Sequence, residues 1–108
     1  MKVFNESNVP IQATNGTYKV GSLKDIYYKE LVEILGEPTY DEPSGDNKVQ
    51  VEWVIKYKDL LYTIYDWKTF DKGYTENELT IWSVGGNKNA TQLINKILKK
   101  QNKLINKI

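Results

Sequence analysis

The segment Tyr65-Asp66-Trp67-Lys68 puts two aromatic rings, a carboxylate and an ammonium in four consecutive positions. On a strand, Asp66 points away from the face that carries Tyr65 and Trp67. At a strand end both faces reach the rim. There Asp66 can accept from a base or a ribose hydroxyl, and Lys68 can pair with a phosphate. Tyr65 or Trp67 can stack on a base. The plainer alternative is a strand-terminal ion pair beside aromatics that only pack. A second constellation is Trp82-Ser83-Val84-Gly85-Gly86-Asn87-Lys88. A strand that runs into two glycines and on toward a helix can turn backbone N–H groups to an anion, with Lys88 nearby. The spacing is not that of a Walker loop, and paired glycines also serve simply to turn the chain. Trp53, in Glu52-Trp53-Val54-Ile55, adds a further indole. The expected ligand set is therefore Trp53, Tyr65, Asp66, Trp67, Lys68, Trp82, Gly85, Gly86 and Lys88. In it the rings take a base, and Lys68, Lys88 and the glycine amides take phosphate.

Three further groups carry charge. Glu52 is either a buried acceptor or a solvent-side carboxylate, and strand alternation favours the latter. Glu37, Asp41, Glu42 and Asp46 can recruit a cation or a basic partner, but they lack the EF-hand register, and such runs are commonly just solvated. Lys96, Lys99, Lys100, Lys103 and Lys107 can touch an anionic ligand, or form the wet face of an amphipathic helix.

Composition removes most catalysts. There is no Cys, no His and no Arg, so all 15 basic residues are Lys. Thiolates, imidazole bases, most zinc and copper sites and guanidinium clamps are excluded. Ser22, Ser44 and Ser83 have no His partner, and a Lys base needs burial. The expectation is a binding protein with no cofactor, not an enzyme. Net charge is +1, which does not suggest sequence-specific binding to nucleic acid. It is unevenly spread, with 9 Lys and 14 acids in residues 1–86 against 6 Lys and no acid in residues 87–108. A chain of 108 residues suits one domain around one core. No apolar run is long enough to span a membrane, and the first residues lack the apolar stretch of a secretory leader. A cytosolic protein is expected. The Lys-, Asn- and Ile-rich composition points to an AT-rich genome.

Around these residues the pattern sets out a chain of elements. Val9-Pro10-Ile11 and Thr17-Tyr18-Lys19-Val20 read as short edge strands, with Asn15-Gly16 as a turn. Leu23, Ile26, Tyr27, Leu31, Ile34 and Leu35 share a helical face, predicting a helix over 23–35. Ser22 and Asp25 form its capping box, Gly36 its C-terminal cap and Pro38 its stop. Residues 37–48 are an acidic, turn-rich loop. Alternation predicts strands at 49–57, 60–67 and 79–84, joined by a Lys58-Asp59 turn and a polar loop over 69–78. Gly85-Gly86 ends the last strand. Ala90, Ile94, Ile97, Gln101, Leu104 and Ile108 mark a helix over 90–107, capped by Asn89 or Thr91. It packs on the sheet or serves in part as a homo-oligomer seam. The fold class is α+β: an antiparallel meander of three or more strands with two helices on one face.

Leu35-Gly36-Glu37-Pro38-Thr39, Glu52-Trp53-Val54-Ile55, Thr63-Ile64-Tyr65-Asp66-Trp67-Lys68 and Trp82-Ser83-Val84-Gly85-Gly86 occur here in that order. The set resembles a group of small accessory proteins encoded by tailed bacteriophages. The likeness covers residues 23–95, and the departure is Leu60, where the hairpin turn of that group commonly has Gly after Asp. A looser likeness is to the helix-then-hairpin modules of bacterial outer-membrane-assembly lipoproteins, without their lipid-bearing Cys. It implies fold only.

The phage resemblance implies a protein made in the host bacterial cytoplasm that counters antiviral defence. The leading expectation is sequestration of a nucleotide-derived immune signal between the aromatics. The alternatives are a protein–protein inhibitor of a defence effector such as a CRISPR nuclease, using the acidic loop and exposed tyrosines, and a virion or assembly component.

Overall fold

The computed structural model describes residues 1–10 and 17–106. Its elements are β1 (Lys2–Val3), β2 (Tyr18–Leu23), α1 (Tyr28–Leu35), β3 (Glu52–Tyr57), β4 (Leu60–Tyr65), α2 (Lys72–Asn77), β5 (Trp82–Gly86) and α3 (Thr91–Ile105). The strands make one five-stranded sheet in the order β1-β3-β4-β5-β2, antiparallel throughout. β3, β4 and β5 form the expected meander, and the fold is α+β. Val9 and Pro10, expected in a short strand, lie outside every strand, while Ile11 and the expected turn at Asn15-Gly16 are outside the described residues. Among the described residues no helix is long and apolar enough to cross a membrane.

The core lies between one sheet face and the pair α1 and α3. Trp53, Ile55, Tyr62, Ile64, Trp82 and Val84 supply the sheet side; Leu31, Leu35, Leu93 and Ile97 supply the helices. The stripe expected for α3 is therefore spent largely on the sheet. Asn89 serves its start, accepting from the Thr91 N–H at 2.8 Å through its side chain. Gln101 reaches from α3 to the backbone oxygen of Asp25 at 2.8 Å, fixing the approach to α1.

Helix α1 starts later than its apolar spacing suggests. Ser22 and Leu23 belong to β2, where they pair with Ser83 and Trp82. Asp25 then takes a left-handed φ of 58°, which no helix accommodates. The helix begins once Glu30 accepts from the Tyr27 N–H at 2.9 Å, one arm of a capping box displaced from Ser22 and Asp25. Its end is where Gly36 places it, at φ 87°, a region open to glycine.

The two central tryptophans brace this helix. Trp53 Nε1 donates to the Gly36 oxygen and Trp82 Nε1 to the Ile26 oxygen, both at 2.9 Å. One indole holds each end of α1, and the rings meet edge to face with centroids 5.6 Å apart.

The hairpin between β3 and β4 closes in two residues, with Tyr57 paired to Leu60. Lys58 and Asp59 both have positive φ, 51° and 63°, the signature of a type I′ turn. Lacking glycine, the turn keeps its geometry at the expense of strain. Other boundaries differ: β4 stops at Tyr65 rather than 67, and β5 starts at Trp82 rather than 79. Residues 49–51 are not in β3, because the Asp66 side chain takes the Gln50 and Val51 N–H groups. The loop expected at 69–78 contains α2, started by Asp71 accepting from the Tyr74 N–H. Gly85 and Gly86 are the last two residues of β5 rather than a break after it, because both pair with β4 and β2; Thr63 Oγ1 and the Tyr62 ring leave no room there for a Cβ.

Candidate functional site: an acid-rimmed cleft

The expected ligand residues do not converge on one site; of the nine, Tyr65, Trp67 and Lys68 lie together. Trp53 and Trp82 are both 0% exposed, and their N–H groups are satisfied internally. Neither indole offers a face to a base. Gly85 pairs with Thr63 and Lys19, and Gly86 with Tyr62 and Tyr18, so these glycines sit in the ladder and form no anion nest. Asp66 is 0% exposed. One of its oxygens accepts from the Gln50 and Val51 N–H groups at 2.8 and 3.1 Å; the other accepts from the Thr69 and Thr75 hydroxyls, both at 2.6 Å. It is a buried staple between two loops, and the strand-terminal ion pair weighed as its alternative is not what the fold uses. Lys88 is exposed but remote from Trp67. Tyr65 pairs with Ser83 and Tyr62 with Gly86, so the chain reaches Lys88 at the end of the sheet where β4 begins. Trp67 and Lys68 follow the end where β4 finishes, and both are exposed.

The sheet face away from α1 and α3 has its own organisation. Phe4 and Val54 are buried there, with Val9, Tyr40 and Leu61 against them. The edge of β3 is covered in two pieces. Phe4 N–H donates to the Val54 oxygen at 3.0 Å, and Tyr40 forms an isolated bridge with Glu52. Thr39 fills the gap: its hydroxyl donates to the Phe4 oxygen at 2.6 Å and accepts from the Val54 N–H at 2.8 Å. The Gly36-Pro38 stop after α1 thus delivers the acidic loop to this edge.

Where the loop turns away, a cleft of about 370 Å³ opens, lined by Glu6, Tyr40, Asp41, Glu42, Ser44, Val49, Val51 and Glu52. Tyr40 and the two valines make its floor, and four carboxylates surround it. That volume lies within the range of small-ligand pockets. One cation braces the rim: Lys72 Nζ sits 2.9 Å from the Asp41 carboxylate and also donates to the Asp41 backbone oxygen. This pairing pushes the Lys72 pKa up. Ser44 and Asp46 shape the far side, with the Ser44 hydroxyl donating to Asp46 at 2.6 Å, which lowers the Asp46 pKa.

Glu52 stands at the inner wall. It pairs across β4 with Tyr65, which pairs with Ser83, so the three lie side by side on the helix-free face. Burial pushes the Glu52 carboxyl above the ordinary carboxylate value. Burial, then the Glu52 charge, push the Tyr65 phenol up, against a hydrogen bond with Ser83. The solvent-side assignment of Glu52 is right in direction, since it faces away from the helices, but the face is not open water.

The arrangement has the chemistry of a receptor for cations. Among the described residues no group of three or more carboxylates is set to hold a metal ion. The cleft instead presents separated charges over an apolar floor, which suits an organic cation such as a lysine or arginine side chain. Beside it, the segment tied to the acidic loop through the pairs Lys72 with Asp41 and Asn47 with Phe70 presents exposed rings, Trp67 at 52%, Phe70 at 53% and Tyr74 at 44%. Sequence reasoning named Asp41 and Glu42 through their loop. It missed Glu6 and Tyr40, which meet the rest of the cleft only by tertiary contact. Comparison of the chain with protein-family models, curated proteins and solved structures finds no match.

Proposed function

We propose that this is a non-catalytic binding protein that docks its acid-rimmed cleft, with the neighbouring exposed rings, onto a basic protein surface. With the phage resemblance, the partner class is a host defence effector such as a CRISPR nuclease, and the action is inhibition by occupancy in the bacterial cytoplasm. The observation that carries the reading is the cleft itself, in which four carboxylates surround an apolar floor. Exposed Trp, Phe and Tyr beside such a charged rim are the usual anchors of a protein contact. Sequestration of a nucleotide signal in a groove of stacked indoles is the weaker reading, because Trp53 and Trp82 are enclosed by the core.

Immobilised protein should capture a stoichiometric partner from host lysate at low salt and release it as salt rises. The pair Asp41→Lys and Glu42→Lys should abolish capture, while Lys99→Glu with Lys100→Glu on α3 should leave it intact. Capture that ignores the cleft charges would refute the assignment.

A further inference from the structure

We propose that Trp67, with Lys48 and Lys68, forms a stacking platform for a nucleotide, the base lying on the indole and the phosphate on the ammonium groups. This goes beyond the cleft reading: it shares exposed Trp67 with the proposed docking surface but rests on Lys48 and Lys68, which do not line the cleft.

Trp67 is the one indole of the three that faces solvent, at 52% exposure. Two ammonium groups stand over its ring, Lys48 Nζ at 5.8 Å and Lys68 Nζ at 5.6 Å from the centroid. They come from different loops, so the fold assembles the trio. Tyr65 meets the ring edge-on, with centroids 6.3 Å apart at 85°, fixing its tilt without covering it by stacking.

The platform is held firmly. Lys68 N–H donates to the Lys48 oxygen at 2.7 Å, and Asn47 Nδ2 reaches the Phe70 oxygen at 3.4 Å. Asp66 anchors both loops beneath, through Gln50 and Val51 on one side and Thr69 and Thr75 on the other. Asn47, Lys68 and Phe70 all take left-handed φ values, 60°, 58° and 57°. Such conformations are unfavourable for residues with a Cβ, and they cluster where a surface must be presented in one shape.

The chemistry selects the ligand. A purely apolar partner gains nothing from two cations on the ring, and a plain anion gains nothing from the indole. A nucleotide uses both: the base takes a ring face, and the flexible lysine stems carry the displaced charges to phosphate. A free nucleotide and a residue of a single strand share this chemistry.

Tryptophan emission reads the site directly, because Trp53 and Trp82 are enclosed. Adenosine monophosphate should quench the exposed component, adenosine or inorganic phosphate alone much less. Lys48→Gln with Lys68→Gln should weaken binding about tenfold. Broadening of the nucleotide's phosphorus resonance gives a second readout, lost in Trp67→Ala. Tighter binding of a short oligothymidylate than of thymidine monophosphate assigns the site to a strand; equal binding assigns it to the free nucleotide. No quench by any nucleotide or oligonucleotide, or phosphorus broadening undiminished in Trp67→Ala, overturns the proposal. Either failure leaves the cleft untouched, since capture there is tested through Asp41 and Glu42.

Discussion

Asp66 shows how one side chain decides the local architecture. Its carboxylate replaces the strand ladder for Gln50 and Val51 and gathers the hydroxyls of Thr69 and Thr75. Asp66→Ala leaves three buried donors and one half-buried donor without their acceptor, and should cost about 3–5 kcal/mol in chemical denaturation. Asp66→Asn should cost only about 1–2 kcal/mol, because the amide oxygen still serves the backbone and the hydroxyls can rotate to accept. Glu52 behaves in the opposite sense. Burial raises its folded pKa, so the folded chain holds that proton more tightly than the unfolded one. The contribution to stability is full below the unfolded value and is lost as pH rises through the folded value. Glu52→Gln should therefore raise the melting temperature at neutral pH, and the gain should vanish below the ordinary carboxylate range. Tyr28 lies against both core indoles. Burial first, then Asp41, Glu37 and Glu76, push its phenol up to about 12, so ultraviolet titration should find a late phenolate transition that Tyr28→Phe removes.

At the scale of elements, the strained turns and crowded glycines make separate predictions. Asp59 holds a left-handed φ of 63° in the hairpin turn. Asp59→Gly should stabilise the protein by about 0.5–1 kcal/mol, since its exposed 3.7 Å contact with Lys56 contributes little. Gly85 is the reverse case, because a Cβ there would lie 2.6 Å from Thr63 Oγ1. Gly85→Ala should destabilise by about 1–3 kcal/mol. These elements also show what the sequence makes legible. The meander, α3, the Gly36 stop and the acidic loop follow from local period and turn chemistry. The start of α1 does not: Leu23 and Ile26 fit a helical face, yet Leu23 belongs to β2, and only its pairing with Trp82 decides between them. Asp66 likewise looks like a ligand residue because its partners arrive from another loop. Aromatic residues in strands look alike whether they face the core or the solvent. Trp53 and Trp82 took the first fate because α1 closes over them, whereas Trp67 lies beyond the end of β4.

On the scale of the whole molecule, charge is unevenly placed. Helix α3 carries Lys96, Lys99, Lys100 and Lys103, none of which lines the cleft. Lys72 pairs with Asp41 at the rim, and on the proposed reading the remaining carboxylates draw a basic partner. Association should be fast at low salt and should slow steeply as salt rises.

Native mass spectrometry of the protein purified from bacterial cells that express it tests the central claim most directly. The cleft account predicts a complex with a cellular protein at fixed stoichiometry, absent when Asp41 and Glu42 are both changed to Lys. A protein recovered alone, or a complex equally abundant with the reversed charges, would contradict it.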